Sequence, residues 1–453
     1  MRNNLPEGLI VKIWQQQLLG RTDLVTEEGE PIRIIYPGRI NDGHGADLRD
    51  AAIVTSQGLI KGDIEVHVKS SGWRAHRHQQ NPTYNRVILH VVMWRDTEVT
   101  TNLQNGGKIS ILALNKYLGS PASQRSNLVY SPATLNMPCH QAREHLPRRI
   151  ITEFLDSAGK ERFLAKAAKF QADLAQMEAS QSLYQGIMGA LGYSKNKLPF
   201  LELAGRLPLQ ILESLTQGKI SHEECLAQQQ ALLLGTAGLL PSQRLNWHQK
   251  NKIDDQWIEK LEKRWVSSHQ TEVMSENDWQ LFKVRPNNFP VRRIVAMSYL
   301  TLRHREKGIF EEVVNKISKV TISKRHHELE KMLTITTNDY WTSHFDFGSG
   351  SRLRIPTLLG RNRAADITVN VLLPFAFAWG NLTSQSELVR KALDLYYRYP
   401  KLIVNTIERH MSNQLGLSSD LVNSAPRQQG LIHIYKTLCS QGECHGCPLG
   451  GAG

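Results

Sequence analysis

The chain has few cysteines, no long apolar run and no recognisable export signal. Five cysteines occur in 453 residues. The longest apolar run, residues 369–380, is interrupted by Asn370 and Pro374 and is too short to cross a bilayer. The first twenty residues lack the hydrophobic region of a signal peptide and have the pattern of an amphipathic helix. We therefore expect a cytoplasmic protein with no membrane partner and no disulfide framework.

Acidic residues are also in deficit. The formal net charge is +13, which favours a polyanionic partner, most simply nucleic acid, with DNA favoured over RNA. Residues 283–325 carry eleven Lys or Arg against three Glu. Solvation of helix surfaces accounts for such residues equally well. A later basic cluster comprises Arg352, Arg354, Arg361 and Arg363.

The length and the apolar patterns predict more than one domain. We expect an α/β domain with a restriction-endonuclease-like mixed sheet in residues 1–120 and a linker in 121–150. A larger, mostly α-helical region is expected in 151–438, followed by a cysteine cluster in 439–453. Alternation and apolar runs predict strands at 32–36, 51–55, 59–69 and 87–93, and helical spacing predicts an opening helix and a helix over 151–176.

Ionisable side chains occupy alternate positions of one short segment, residues 62–69. The residues between them are β-branched and apolar, and a period of two with this composition predicts a strand. One face of that strand is apolar, and the other carries Asp63, Glu65, His67 and Lys69.

This polar face is a candidate catalytic site. Asp47 lies before one strand and Glu65 within the next, so a hairpin can bring the two carboxylates together. Carboxylates anchor Mg²⁺ or Mn²⁺ for phosphodiester cleavage, and a basic residue such as His67 or Lys69 can orient the attacking water or stabilise negative charge.

The order strand, Asp, hairpin, Glu-x-basic, crossover and apolar strand resembles the core of the PD-(D/E)XK nuclease superfamily. The resemblance implies that Asp47 and Glu65 bind the metal and that a lysine two residues after the Glu helps to activate water. Here His67 occupies that lysine position, and Lys69 on the same face is the candidate substitute. An imidazole ligand favours Mn²⁺, Zn²⁺ or Fe²⁺ over Mg²⁺.

Several longer segments carry a second, wider resemblance. They are similar to an uncharacterised bacterial family, domain of unknown function 2851, which brings no established activity. The segments are PGRINDGHGADLRDA, GDIEVHVKSSGWRAHRH, YNRVILHVV, GALGYSKNKLPF, VRPNNFPVRRI and the terminal cysteine cluster.

Further histidines follow the charged strand. His76 and His78 share a face if the segment is extended, which suits a common metal. Together with Glu65, His67 and His90 they predict a His-rich carboxylate site that would hold Zn²⁺ or Mn²⁺. The alternatives are loop histidines that contact phosphate or solvent and, for His90, a hydrogen-bonded core residue.

Three cysteines crowd the C-terminus in a C-x4-C-x2-C arrangement: Cys439, Cys444 and Cys447. Such spacing usually indicates metal. Cys139 is the leading fourth ligand, followed by His445 and His140. Several nucleases of the superfamily named above hold a [4Fe–4S] cluster with one remote cysteine and a terminal trio, which implies the same cofactor here. Zn²⁺ is the competing cofactor, and a reduced, disordered tail is the remaining alternative.

A proline-bounded basic segment allows two interpretations. Arg285, Arg292 and Arg293 could contact phosphates at a helix start, or the segment could be a rigid connector between helices.

Three functions fit the sequence. The first is a divalent-metal-dependent nuclease in which Asp47 and Glu65 bind the ion and His67 or Lys69 assists. The second is a non-catalytic nucleic-acid-binding scaffold with a degenerate metal site, motivated by the histidine at the lysine position. The third is a His/carboxylate metallohydrolase that acts on a small substrate.

Overall fold

The chain forms two compact units. The computed structural model describes residues 5–15, 17, 19, 23–41, 43–118, 139–216, 220–244, 255–268, 272–282, 284–319, 325–348, 350 and 354–450. The sheet unit comprises Met1–Gly159, Val404–Asn423 and Arg427–Gly453, and the helical unit comprises Lys160–Ile403 and Ser424–Pro426. Residues 404–423 and 427–453 thus belong to the sheet unit, whereas we expected residues 151–438 to form one helical region. Much of the predicted linker falls in 119–138, outside the described residues.

A mixed sheet dominates the sheet unit. Its strands are β1 (Leu24–Val25), β2 (Pro31–Tyr36), β3 (Arg39–Ile40), β4 (Leu48–Thr55), β5 (Gly58–Lys69), β6 (Val87–Trp94), β7 (Thr101–Asn102) and β8 (Lys108–Ala113). The order is β1-β2-β4-β5-β6-β8-β7, with β3 paired to β4. Strands β2, β4 and β5 pair antiparallel, whereas β5, β6 and β8 pair parallel. In the helical unit, β9 (Ile335–Thr336) pairs with β10 (Thr357–Leu359).

Among the described residues, six α-helices lie wholly or partly in the sheet unit, and the longest of them continues into the helical unit. They are α1 (Glu7–Gln15), α2 (Gly72–Ala75), α3 (Ala142–His145), the start of α4 (Arg148–Leu174), α16 (Thr406–Leu415) and most of α17 (Ala425–Thr437).

The helical unit contains the rest of α4 and a series of shorter helices. These are α5 (Ala179–Leu191), α6 (Lys197–Arg206), α7 (Leu209–Ser214), α8 (His222–Thr236), α9 (Gln256–Val266), α10 (Pro290–Arg303), α11 (Ile309–Lys319), α12 (Arg325–Leu333), α13 (Arg361–Ile367), α14 (Leu373–Leu382) and α15 (Ser386–Tyr397). One π-helical turn, Thr368–Leu372, joins α13 to α14. None of the described helices combines the length and the apolar character that a bilayer crossing requires.

The expected architecture, an α/β sheet region followed by a larger helical region, is confirmed. Amphipathic helix α1 covers one sheet face, where Ile10 and Trp14 pack in the same core as Ile64 and Val66 of β5. Trp14 Nε1 also donates to the carbonyl of Pro37 at 2.9 Å. The apolar half of the alternating β5 pattern therefore faces α1, and its ionisable half lies on the opposite face.

A bulge in β4 shapes the start of the candidate site. Pairing between β4 and β5 shifts register between Leu48 and Ala51, and Asp50 has a φ of 60°. Arg49 Nη1 donates to Asp63 Oδ2 at 2.8 Å, and the Asp50 amide donates to Asp63 Oδ1 at 3.1 Å. Asp63 is therefore a buried structural residue that holds the bulge in place.

Two arginines of the basic segment around α10 are buried. Arg292 is fully buried and donates to the main-chain carbonyls of Trp341, His344, Ile355 and Thr357. Arg293 is also buried and donates to the Leu358 carbonyl. The phosphate-contact interpretation of these two arginines is therefore wrong, because both guanidinium groups bind the protein's own backbone.

Candidate metal centre

Three imidazoles converge over the polar face of β5. His67 lies on β5, and His76 and His78 follow the single turn of α2, where Arg77 between them has a φ of 59°. One ring nitrogen from each histidine lies within 4.8 Å of the other two. His67 Nε2 is 3.1 Å from His76 Nδ1. The left-handed residue thus turns the segment back, so that both loop histidines approach His67 although the segment is not extended.

Glu65 adds a carboxylate to the three imidazoles. Its Oε1 lies 3.0 Å from His78 Nε2 and 3.8 Å from His67 Nε2. Both Glu65 and His78 are buried, and His78 Nε2 makes no well-aligned hydrogen bond despite its full burial. A buried nitrogen of this kind, aimed at a carboxylate and two further imidazoles, is a suitable ligand for a cation.

Asp47 is fixed beside Glu65 by two reciprocal contacts. The Asp47 amide donates to Glu65 Oε2 at 3.1 Å, and the Val66 amide donates to Asp47 Oδ2 at 3.0 Å. The two predicted carboxylates thus lie together across the β4–β5 hairpin. Asp47 is half-buried, so this residue is partly exposed to solvent.

His90 lies behind His67 rather than among the converging groups. The strands β5 and β6 place Glu65 opposite His90 in register. His90 Nε2 is 2.9 Å from His67 Nδ1, and His90 Nδ1 is 3.3 Å from Thr101 Oγ1. These contacts orient the His67 ring so that its Nε2 points towards His76. A residue that binds the second ring nitrogen of a metal-ligating histidine orients the ligand in the same way.

Aromatic residues form one wall of the site. The Tyr84 ring stacks on His78 with centroids 3.9 Å apart, and the buried Trp73 ring lies 5.2 Å from His78 and 5.3 Å from His90. Trp73 Nε1 donates to the Asn102 carbonyl at 3.0 Å. The imidazoles are therefore held by packing and not only by polar contacts.

Gly72 allows the chain to pass close to His67. A Cβ at this position would lie 2.6 Å from His67 Cδ2. We expect Gly72→Ala to displace the ring and to destabilise the protein by about 1–3 kcal/mol. Divalent-ion binding by the same variant, measured by calorimetry, should weaken as well. Gly8→Ala, where a Cβ meets no atom within 4 Å, is the control: it should leave ion binding unchanged and should not destabilise the protein; equal losses in both variants would contradict this role of Gly72.

Burial controls the protonation of the site. Desolvation raises the pKa of Asp47 to about 7 and that of Glu65 to about 8, and the nearby Glu65 charge adds to the effect on Asp47. Desolvation and neighbouring histidines lower the pKa of His67 and lower that of His90 to about 3. The His67 imidazole is thus neutral at physiological pH, the form that binds metal.

Glu7 is a third carboxylate near the site that sequence reasoning missed. It lies in the first turn of α1, and its negative charge contributes to the raised pKa values of Asp47 and Glu65. The amphipathic pattern of α1 predicted the helix but not which of its polar residues approaches the sheet.

Lys69 lies apart from the converging groups. It is exposed at the end of β5, four residues beyond Glu65, which corresponds to about 13 Å along an extended strand. A catalytic substitution of Lys69 for the expected lysine stays a prediction.

A second group, in the helical unit, has metal-like spacing. His326, His327 and Glu330 offer ligand atoms within 4.8 Å of one another. Arg361 Nε donates to Glu330 Oε2 at 2.6 Å, and the Tyr399 hydroxyl donates to Glu330 Oε1 at 2.8 Å. The arginine already supplies the positive charge, so this group is an ion-pair network.

The four predicted cysteine ligands come together elsewhere in the sheet unit. Cys139, Cys439, Cys444 and Cys447 all line one small cavity. The alternative ligands His140 and His445 do not line it. Cys225 is fully buried, with its Sγ 3.6 Å from the Leu215 carbonyl.

The geometry defines an α/β protein with a carboxylate–imidazole centre on a mixed sheet. Residues 7–401 match the family model described as protein of unknown function (DUF2851), and the chain belongs to that family. The matched residues include the candidate metal centre and end before Cys439. No curated protein and no solved structure matches the chain significantly.

Proposed function

We propose that the protein is a divalent-metal-dependent hydrolase of nucleic-acid phosphodiester bonds. The observation that carries the proposal is the convergence of the ring nitrogens of His67, His76 and His78, with Glu65 Oε1 3.0 Å from His78 Nε2 and 3.8 Å from His67 Nε2. This donor set suits Mn²⁺, Fe²⁺ or Zn²⁺ better than Mg²⁺, which prefers oxygen ligands.

The donor groups fit such an ion. Buried His67 and His78 are neutral and oriented, and the Glu65 carboxyl, whose pKa is about 8, would supply a negative charge when it gives up its proton to the ion. When bound, the ion would polarise a phosphoryl oxygen and activate a water molecule. Asp47, half-buried beside Glu65, would be the candidate proton acceptor.

Exposed basic side chains that are close to the histidine centre in the sequence favour a polyanionic substrate. Arg74 and Arg77 flank His76 in the sequence and are exposed, as is Lys69. Arg86 is also exposed, 3.5 Å from the bulge residue Asp50. These residues can bind phosphates on either side of a scissile bond without using the two arginines buried in α10.

Cleavage should depend on both carboxylates. We expect Glu65→Gln and Asp47→Asn to lower the rate of Mn²⁺-dependent cleavage of end-labelled DNA by roughly 100-fold or more. The amide side chains keep the shape and can still accept the hydrogen bonds from the Asp47 and Val66 amides. The measurement is product formation from single-stranded and double-stranded DNA and RNA with Mn²⁺, Zn²⁺, Fe²⁺ or Mg²⁺.

An exposed glutamate provides the control. Glu98, whose side chain is 94% exposed, is the control for the carboxylates. Glu98→Gln should cleave at the wild-type rate. Equal activity of wild type, Glu65→Gln and Asp47→Asn would refute the proposed hydrolase.

The histidine-rich donor set also favours the second candidate, a metallohydrolase for a small substrate. The two candidates differ in salt dependence, because several phosphate contacts make the affinity for nucleic acid fall steeply with salt. Cleavage of a small phosphodiester with no salt-sensitive DNA binding would favour the small substrate. Salt-sensitive binding without cleavage under any metal would favour the non-catalytic scaffold.

A further inference from the structure

The sheet unit contains a second group of possible metal ligands, which consists of thiols instead of imidazoles and carboxylates. Its cavity is lined by four cysteines that come from two remote parts of the chain. Cys139 precedes α3, whereas Cys439, Cys444 and Cys447 follow α17. The remaining lining residues include Tyr36, Gln414 and Leu438.

The four thiols are free and largely withdrawn from water. Cys139 is 7% exposed and Cys439 is 6% exposed, and the other two are half-buried. Gln414 Nε2 donates to Cys139 Sγ at 3.2 Å. Desolvation raises the pKa of all four thiols, and neighbouring thiols raise the pKa of Cys139, Cys439 and Cys444 further. Such a group binds a cationic centre strongly once the thiols lose their protons.

The separation of the sulfur atoms favours a cluster over a single ion. Tetrahedral zinc with Zn–S bonds of about 2.3 Å places its sulfur ligands about 3.8 Å apart. Among the described residues, no three of these four Sγ atoms lie within 4.8 Å of one another, whereas His67, His76 and His78 do meet that spacing. The thiols are therefore spaced more widely than the ligands of a single zinc ion. Four cysteine ligands are the usual set for an iron–sulfur cluster.

We propose that Cys139, Cys439, Cys444 and Cys447 ligate an iron–sulfur cluster that fastens the C-terminal segment onto the sheet beside the hydrolytic centre. Gly442, with a φ of 72°, brings this segment so close that a Cβ there would lie 3.4 Å from the side chains of Ile35 and Ala52. Lys61 Nζ on β5 donates to Gln441 Oε1 at 3.0 Å. The segment thus packs on three strands of the sheet.

A hydrogen-bond network leads from the segment to the β4 bulge. The Tyr435 hydroxyl on α17 donates to Asp50 Oδ2 at 2.6 Å, and Arg39 Nε donates to the Tyr435 hydroxyl at 3.0 Å. Asp50 is the bulge residue whose amide binds Asp63, and Asp47 lies three residues before it. The cluster therefore has a structural role: it holds α17 against the part of β4 that positions Asp47.

The test is anaerobic purification of the full chain followed by iron, zinc and acid-labile sulfide analysis and a visible spectrum. We expect iron and labile sulfide in similar amounts and a brown protein with broad visible absorption. Cys139→Ser and Cys447→Ser should each lose most of the iron. Cys225→Ser, which changes a buried cysteine outside the cavity, should keep it.

Limited proteolysis gives a readout that does not depend on colour. Removal of the cluster should expose residues 438–450 to cleavage at least about tenfold faster, while wild type and Cys225→Ser resist. Stoichiometric zinc without sulfide, a metal-free protein, or full iron in Cys139→Ser would each overturn the proposal. A filled cluster in a protein that cleaves no phosphodiester would refute the hydrolase alone, so the two proposals fail separately.

Discussion

Replacing Glu65 by glutamine is expected to stabilise the metal-free protein and to abolish its stabilisation by Mn²⁺. Burial raises the pKa of Glu65 to about 8 and that of Asp47 to about 7. At pH 8.5 the folded, metal-free protein must therefore hold charged carboxylates side by side in a poorly solvated site. An amide at position 65 removes this cost, which we place on the order of 2–4 kcal/mol.

The sign of the pH dependence follows from proton binding. A carboxyl group with a raised pKa in the folded protein binds more protons there than in the unfolded chain. The free energy of unfolding must therefore fall as pH rises from the unfolded pKa to the folded one. His67 and His90, whose pKa values are lowered, act in the opposite direction only below about pH 6.5. Between pH 6.5 and 8.5 the difference between wild type and Glu65→Gln therefore reports the carboxylates, because the buried thiols, whose pKa values are also raised, contribute equally to both proteins.

The measurement is urea unfolding at pH 6.5, 7.5 and 8.5, first with a chelator and then with Mn²⁺. Wild type should lose stability with rising pH in chelator and recover it with Mn²⁺, by about 2.7 kcal/mol at one hundred times the dissociation constant. Glu65→Gln should show a flatter pH profile and no recovery. Asp47→Asn should behave similarly, with a smaller effect.

Asp63 provides a matched control on the same strand. Its carboxylate is buried like that of Glu65, but it is paired with Arg49 at 2.8 Å and with the Asp50 amide. Asp63→Asn should therefore destabilise the protein at every pH in this window, while Mn²⁺ still stabilises it. If Glu65→Gln destabilises the metal-free protein as much as Asp63→Asn does, Glu65 is a structural residue and not a metal ligand.

Local pattern predicted the strand and the face that carries the site. The alternation in residues 62–69 depends only on the two-residue period of a strand, and β5 confirms it. The same alternation could not predict that Asp63 is structural and Glu65 faces the histidines. That difference in role arises because Arg49 and the β4 bulge bind Asp63. That bulge arises from pairing between strands, and alternation within one strand does not report it.

Three of the missed strands share a physical cause. β1, β3 and β7 contain two residues each and are defined by their partners, so they leave no periodic signal, whereas the six-residue β8 was missed without this reason. His76 and His78 reach His67 through a single helical turn and a left-handed Arg77, which composition does not predict. The identity of Cys139 as the remote thiol could be predicted from cysteine counts, since the other candidates were few.

Arg292 carries the second large expected effect, on the stability of the helical unit. Its guanidinium group donates to His344 O at 2.8 Å and to Thr357 O at 3.2 Å, and it also binds the carbonyls of Trp341 and Ile355. Arg292→Ala would leave these carbonyls without that donor in a buried site. We expect a loss on the order of 3–5 kcal/mol, measured by urea unfolding.

Arg292→Lys separates charge from geometry. An ammonium group has three donors and lacks the planar fork, so lysine should recover only a minor part of the lost stability. Arg390→Ala is the control, because Arg390 is 65% exposed and pairs with Glu387 on the surface of α15. The expected change for this control is within about 0.5 kcal/mol.

The same variants test whether α10 contacts nucleic acid. A residue that binds a phosphate contributes about one unit to the slope of log affinity against log salt, and its loss lowers that slope. Because the Arg292 guanidinium group is fully buried, folded Arg292→Lys should bind DNA with the wild-type slope. Arg77→Ala and Arg86→Ala, beside the histidine centre, should lower the slope, because both side chains are exposed. A reduced slope in Arg292→Lys alone would instead place the phosphate-binding surface on the helical unit and leave the basic residues around His76 without a role in binding.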